Sequence, residues 1–123
     1  RGVVKLSDKF HNNLMEHAIP LDERALAALA NNAMALDIYV WLAQRLHRVS
    51  RERPASISWK AIEEQFGGVY SNPRKFRQNF RERLKLVLQF YREAKVEDTM
   101  RGLILRNSPP PIMPEKKIFP IKQ

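Results

Sequence analysis

The sequence predicts a mainly α-helical domain closed by a small β-hairpin, and three observations predict it. A long arginine-rich segment, Asn72 to Arg92, carries apolar residues at helical spacing along one side. A shorter amphipathic segment, Trp59 to Phe66, precedes it across a turn containing Gly67 and Gly68. Two β-prone runs, Lys95 to Thr99 and Leu103 to Asn107, flank Met100-Arg101-Gly102 and read as a hairpin. Helix, glycine-containing turn, longer helix and hairpin, in that order, spell a winged helix-turn-helix, a fold that lays its second helix on duplex DNA.

A chain of 123 residues is the size of one domain and buries roughly two-thirds of the surface its unfolded form exposes. Residues 1–108 are read as that winged-helix domain and 109–123 as a proline-rich C-terminal tail. With 44% hydrophobic residues and 4 glycines the composition is globular. The absence of cysteine excludes a disulfide framework and thiolate metal sites, and fits a reducing compartment. No secretory apolar region is present, and no apolar run approaches the ~20 residues that span a bilayer. A cytoplasmic protein with no membrane partner is therefore expected. Arg1 in place of an initiating methionine reads as a fragment or a processed product.

The formal charge of +9 is regional. Residues 1–37 carry 4 Lys and Arg against 5 Asp and Glu, whereas residues 38–123 carry 18 against 8. Such a basic surface attracts polyanions through counterion release, and nucleic acid is the commonest of these. A solvated, solubilising face is the plainer account of the same charge.

The elements follow in order. Gly2 to Leu6 reads as a short strand, and Ser7-Asp8 starts a helix over Lys9 to Glu16, which Pro20 ends. Asp22 caps a helix over Glu23 to Ala30, rich in strong helix formers, and Asn31-Asn32 breaks it. Ala33 to Val49 is the longest apolar segment; only Asp37, Gln44, Arg45 and Arg48 make a polar sector, so a central, buried helix is expected. After a polar break at Ser50 to Pro54, Ser56-Ile57-Ser58 reads as a very short strand and Ser58 as the cap of the Trp59 to Phe66 helix. Trp59, Ile62 and Phe66 share one face of that helix. Gly67 is placed to end it in the left-handed conformation that glycine adopts cheaply. Asn72 as N-cap and Pro73 at the first helical position start the long helix. Ser108-Pro109-Pro110-Pro111 then leaves the sheet as an extended segment, since proline cannot donate to a ladder.

On the long helix Phe76, Phe80, Leu84, Val87, Leu88 and Tyr91 cluster on one side, expected to face Trp41 and Trp59. Arg74, Gln78, Arg81, Lys85 and Arg92 occupy a narrow opposite sector, and the segment from Asn72 to Arg92 holds seven basic residues to one acidic. Arginine matches guanine and glutamine matches adenine in the major groove, so Arg74, Gln78, Arg81 and Lys85 are the candidate base readers. Lys75 and Arg77 flank that sector near the helix start, where Asn72 also sits, and Arg101 lies at the hairpin tip. Lys75, Arg77 and Arg101 are the candidate phosphate contacts, and the cap residue Asn72 counts among the candidate DNA-binding residues.

Catalytic chemistry is not indicated. His11, His17 and His47 are scattered without metal-ligand spacing, and no glycine-rich phosphate loop or nucleophile elbow is present. No enzyme, metal or cofactor is expected. Two other binding classes compete with duplex DNA. A single-strand or structured-RNA binder exposes aromatics for stacking, yet Phe76, Phe80 and Tyr91 lie on the inward stripe. A protein-interaction module would instead use Pro109 to Pro111 and the mixed basic and apolar tail as its ligand.

An ordered set of strings also resembles the plasmid replication initiators of the RepA C-terminal type. They are Pro20-Leu21-Asp22 followed by the Arg24 to Leu29 helix; Ala35-Leu36-Asp37-Ile38-Tyr39-Val40-Trp41-Leu42; Ile57-Ser58-Trp59 with Gln65-Phe66-Gly67; Phe76 with Phe80; Ala94-Lys95-Val96-Glu97; and Gly102-Leu103 running into Ser108-Pro109-Pro110-Pro111. They extend from about Leu6 to Ile112. The resemblance implies a bacterial initiator that binds repeated sites at a plasmid origin, helps open it, and recruits the host replication initiator and helicase. A homodimer on DNA is a further partner it allows, and a winged-helix transcriptional repressor is the alternative within the same fold.

Overall fold

A computed structural model describes residues 21–67 and 72–111. The strand expected at Gly2 to Leu6, the helix at Lys9 to Glu16, Gly68 and the tail beyond Pro111 lie outside the described residues. Within them the protein is mainly helical with a small antiparallel sheet. In chain order the elements are α1 (Glu23–Leu29), α2 (Ala33–Arg45), a 3-10 turn (Leu46–Arg48), β1 (Ala55–Ser58), α3 (Trp59–Phe66), α4 (Pro73–Phe90), β2 (Lys95–Asp98) and β3 (Gly102–Arg106). No helix among the described residues is long and apolar enough to cross a membrane.

Each α-helix among the described residues starts on a short polar side chain that accepts a backbone N–H otherwise left without a partner. Asp22 takes Arg24 N–H at 2.9 Å, Asn32 takes Ala35 N–H at 3.1 Å, and Ser58 takes Ala61 N–H at 3.1 Å. Asn72 takes the N–H groups of Arg74 and Lys75 at 3.0 and 3.4 Å, with Pro73 inside the first turn. Each such cap stabilises its helix by about 1 kcal/mol.

The central helix is α2, whose Leu36, Ile38, Tyr39, Val40 and Leu42 are fully buried between α1 and α4. The Tyr39 hydroxyl accepts the backbone N–H of Asp22 at 2.9 Å, which fastens the start of α1 to the core. Burial pushes the Tyr39 hydroxyl up to about 12. The α-helix ends at Arg45 rather than running to Val49, because later residues take the carbonyls beyond it. Ser108 N–H donates to Leu46 O at 3.1 Å, and Asn107 Nδ2 donates to Val49 O at 2.8 Å. Gln44, expected in the polar sector, is buried at 4% exposure, and its Nε2 has no hydrogen-bond partner among the described residues.

The hairpin gains a third strand. The sheet order is β1-β3-β2, both pairings antiparallel, with Ile57 opposite Leu103 and Val96 opposite Leu105. Gly102 belongs to β3 rather than to the turn, which leaves Met100 and Arg101 at the tip. Its φ of 152° lies where side chains are strained, and a Cβ there would stand 2.0 Å from Ile57 O, so the close approach of β1 requires glycine. Gly67, by contrast, is not left-handed: it ends α3 with φ −103°. Crowding accounts for the residue instead, since a Cβ would lie 2.8 Å from Glu63 O and 3.1 Å from the Phe76 ring.

The long helix stops at Phe90, two residues short of the expected Arg92. Tyr91 turns away at φ −132°, ψ 72°, its ring edge-on to Tyr39 at 6.0 Å and its hydroxyl donating to Pro109 O at 2.6 Å. Burial also raises the Tyr91 hydroxyl. The proline-rich segment is thereby tied at its first residue to the end of α4.

Candidate nucleic-acid interface

The underside of α4 fixes which of its residues face outward. Phe76, Phe80, Leu84 and Val87 are buried against the rest of the core. Phe80 meets Trp59 edge-on at 5.7 Å and Phe66 at 5.4 Å, whereas Trp41 is met by Phe66 of α3, at 5.3 Å. Such aromatic pairs add about 0.5 to 1.5 kcal/mol each beyond their buried area and hold α4 at one rotation about its axis. Arg74, Lys75, Gln78 and Lys85 are left exposed by that rotation, and Arg77 and Arg81 half-buried.

Arg74, Arg77, Gln78, Arg81 and Lys85 line one open depression of about 450 Å³. The sequence-predicted residues Asn72, Lys75 and Arg101 are not part of it. The Asn72 side-chain oxygen is committed to the helix cap, and Arg101 lies on the hairpin beside Ser58 and Ile104. Glu82 joins the depression; its carboxylate is 3.6 Å from Arg83 on the flank of the helix.

Arg81 differs from its neighbours. Its Nε donates to both oxygens of Asp98 on β2, at 2.9 and 3.1 Å, and its guanidinium carbon lies 4.8 Å from the Trp59 ring centre. Part of its hydrogen-bonding capacity is therefore used inside the protein. The partner was not visible in the sequence, because Asp98 is 17 residues away and only the register of β2 brings it to α4.

Trp59 fixes the hairpin from the other side. Its backbone N–H donates to Arg101 O at 3.1 Å, and its indole Nε1 donates to Thr99 O at 3.0 Å. Within the turn, Thr99 Oγ1 donates to Gly102 O at 2.8 Å and accepts the Arg101 N–H at 3.2 Å. The hairpin tip, α3 and α4 are thus linked through polar contacts around one tryptophan, and the basic face of α4 and Arg101 keep a set relation.

The arrangement offers several cations and an amide side chain on one helix, next to a hydrogen-bonded turn carrying another cation. Charge-assisted donors of this kind can bind polyanions.

Comparison with known proteins bears on the other end of the chain. The family model described as plasmid encoded RepA protein matches residues 2–61, which takes in α1, α2, β1 and the first residues of α3 but not α4 or the hairpin. No curated protein and no solved structure matches the chain. Over that segment, which builds the central helix and leads into the sheet, the chain is similar to the plasmid-encoded RepA proteins.

Proposed function

We propose that the chain is a winged-helix domain that binds duplex DNA sequence-specifically, as the initiator of replication at repeated sites in a plasmid origin. The observation that carries the reading is the pairing of a core-committed apolar stripe on α4 with an outward face holding Arg74, Arg77, Gln78 and Lys85 beside a braced hairpin. Element order supports the fold: β1 lies between α2 and α3 in sequence and pairs with β3 of the hairpin, while α3 and α4 form the helix pair. Similarity of residues 2–61 to the plasmid-encoded RepA proteins supports a role connected with plasmid replication.

In this reading α4 enters the major groove. Arg74, Gln78 and Lys85 read base edges, and Lys75, Arg77 and Arg101 hold phosphates. Arg81 shares its guanidinium between that face and Asp98. The chain acts by binding rather than catalysis, in the bacterial cytoplasm, and hands the origin to the host initiator and helicase. The docking of Pro109 on Tyr91 favours this over a module that offers its proline segment as a free ligand.

Selection of bound sequences from random duplexes tests the proposal. Directly repeated sites are expected; a single inverted repeat would favour a dimeric repressor, and no enriched sequence at all would remove base readout. Gln78→Ala is then expected to cost about 1 to 3 kcal/mol and relax preference at one position, whereas Lys75→Ala weakens all sequences alike.

A further inference from the structure

A second basic surface lies at the other end of the sheet. Arg45, Arg48, Ser50 and Arg53 line one open depression of about 460 Å³. Arg51, Glu52, Lys95, Arg106 and Asn107 line an adjoining one of about 430 Å³ that shares Ser50. The strand register sets the position. Ala55 pairs with Leu105 and Lys95 with Arg106, at the end of the strands away from the Met100-Arg101 tip. Four or five residues of strand separate the two ends, roughly 10 to 13 Å.

The loop that presents these arginines is built, not merely charged. The Ser50 hydroxyl accepts the N–H groups of Glu52 and Arg53 at 3.1 and 3.3 Å and donates to the Glu52 carboxylate at 3.2 Å. Asn107 Nδ2 holds the preceding backbone through Val49 O and His47 O, at 2.8 and 3.3 Å. Arg48 is steadied by its own bond to Gln44 O, and Arg106 pairs with Glu97. Arg45, Arg51, Arg53 and Lys95 have no acidic partner among the described residues. A loop ordered before binding loses less entropy when a ligand arrives.

We infer that this surface is a second duplex-DNA contact, which grips phosphates of a DNA segment other than the one read by α4. The inference rests on the DNA-binding reading only in the choice of DNA among polyanions. Arginine forks suit phosphate oxygens in pairs, and five of the six cations lining the two depressions are arginines, against one carboxylate, Glu52. A protein partner would need an apolar centre, and the exposed large hydrophobic side chains among the described residues, Phe90 and Met100, line neither depression. The phosphates come from the flank of the bound duplex or from a second duplex.

The test uses the full chain, its Arg51→Ala/Arg53→Ala variant, and an Arg74→Ala/Gln78→Ala/Lys85→Ala variant. On a long duplex containing the selected site, losing two phosphate contacts is expected to make the dependence of log affinity on log salt shallower by about 2 while sequence preference stays. If the phosphates are flanking, trimming the duplex to the site erases that difference. If they belong to a second duplex, protein on an immobilised site captures labelled random duplex, and the loop variant does not. Arg51→Lys/Arg53→Lys is expected to recover most of the salt dependence, and equal melting temperatures exclude misfolding. The inference is overturned if the loop variant matches wild type in salt dependence and in capture. It is overturned too if the α4 variant holds polyglutamate but not random duplex. Failure of the α4 reading has a different signature: unchanged sequence preference in the α4 variant.

Discussion

Arg81 and Asp98 join α4 to the hairpin across the surface, Nε to carboxylate, with the Trp59 ring under the guanidinium. Their side chains are 39% and 41% exposed, so solvent screens the pair and its contribution to global stability is about 1 kcal/mol or less. Its larger effect is on geometry, since the three residues come from three different elements.

Arg81→Ala and Asp98→Ala are accordingly expected to shift the unfolding midpoint little and to loosen the hairpin alike. Amide exchange at Met100, Arg101 and Gly102 should quicken in each variant and no further in the double. A coupling of about 0.5 kcal/mol or more in the double-mutant cycle is expected. Hairpin protection equal to wild type in both single variants would show that Trp59 alone holds it.

Gly102→Ala should be far more damaging than its size suggests. The backbone sits at φ 152°, and the added methyl meets Ile57 O at 2.0 Å, so β1 and β3 must separate. Backbone strain costs about 1 to 3 kcal/mol, to which lost strand pairing adds. Denaturant titration is expected to register at least that loss, with Trp59 fluorescence reporting the hairpin first. A variant as stable as wild type would mean that the sheet tolerates the displacement.

What was legible in the sequence was what is decided locally. Asp22, Ser58 and Asn72 were readable as caps because a cap needs only a short polar side chain ahead of a helix. The α4 stripe was readable because its period is regular. The pairing of β1 with β3 was not, since it joins segments more than forty residues apart. For the same reason neither the Asp98 partner of Arg81 nor the early end of α2, set by Asn107 and Ser108, was visible. The glycines show a subtler limit. Sequence places Gly67 at a left-handed helix end and Gly102 in a hairpin turn, yet Gly67 is required by crowding at an ordinary φ and Gly102, inside β3, by close strand approach as well as φ. The segment from Arg45 to Arg53 read as a helix end and a polar break, although its arginines were in plain view; only the register put Lys95 and Arg106 beside them.

Stability should fall at high pH, with the sign set by Tyr39. Its folded value is raised from 10.0 to about 12, first by burial. Below pH 10 the hydroxyl is protonated in folded and unfolded chains alike, and its contribution is fully present. As pH rises from 10 to about 12, the unfolded chain releases the proton while the folded one keeps it, so stability is lost through that window. Tyr39→Phe is expected to flatten the decline without abolishing it, because buried Tyr91 is raised too. At neutral pH the same variant should be less stable by about 1 to 3 kcal/mol, since Asp22 N–H loses its acceptor. Melting temperatures across the alkaline range test both parts, and identical slopes for the two proteins would remove Tyr39 as the cause.

Asn72 allows the helix cap to be separated from contact with nucleic acid. Its oxygen takes Arg74 N–H at 3.0 Å, a task aspartate performs equally well, and a negative charge at a helix N-terminus is favourable. Asn72→Asp should therefore fold as stably as wild type, whereas Asn72→Ala loses about 1 kcal/mol. If the first turn of α4 meets phosphates, the same aspartate sets a carboxylate against them, beside Arg74 and Lys75. DNA affinity should then fall in Asn72→Asp more than in Asn72→Ala, the reverse of the order in stability. Fluorescence anisotropy on the selected duplex, with melting curves for each protein, measures both orders. Affinity that simply follows stability across the two variants would place the start of α4 away from the DNA.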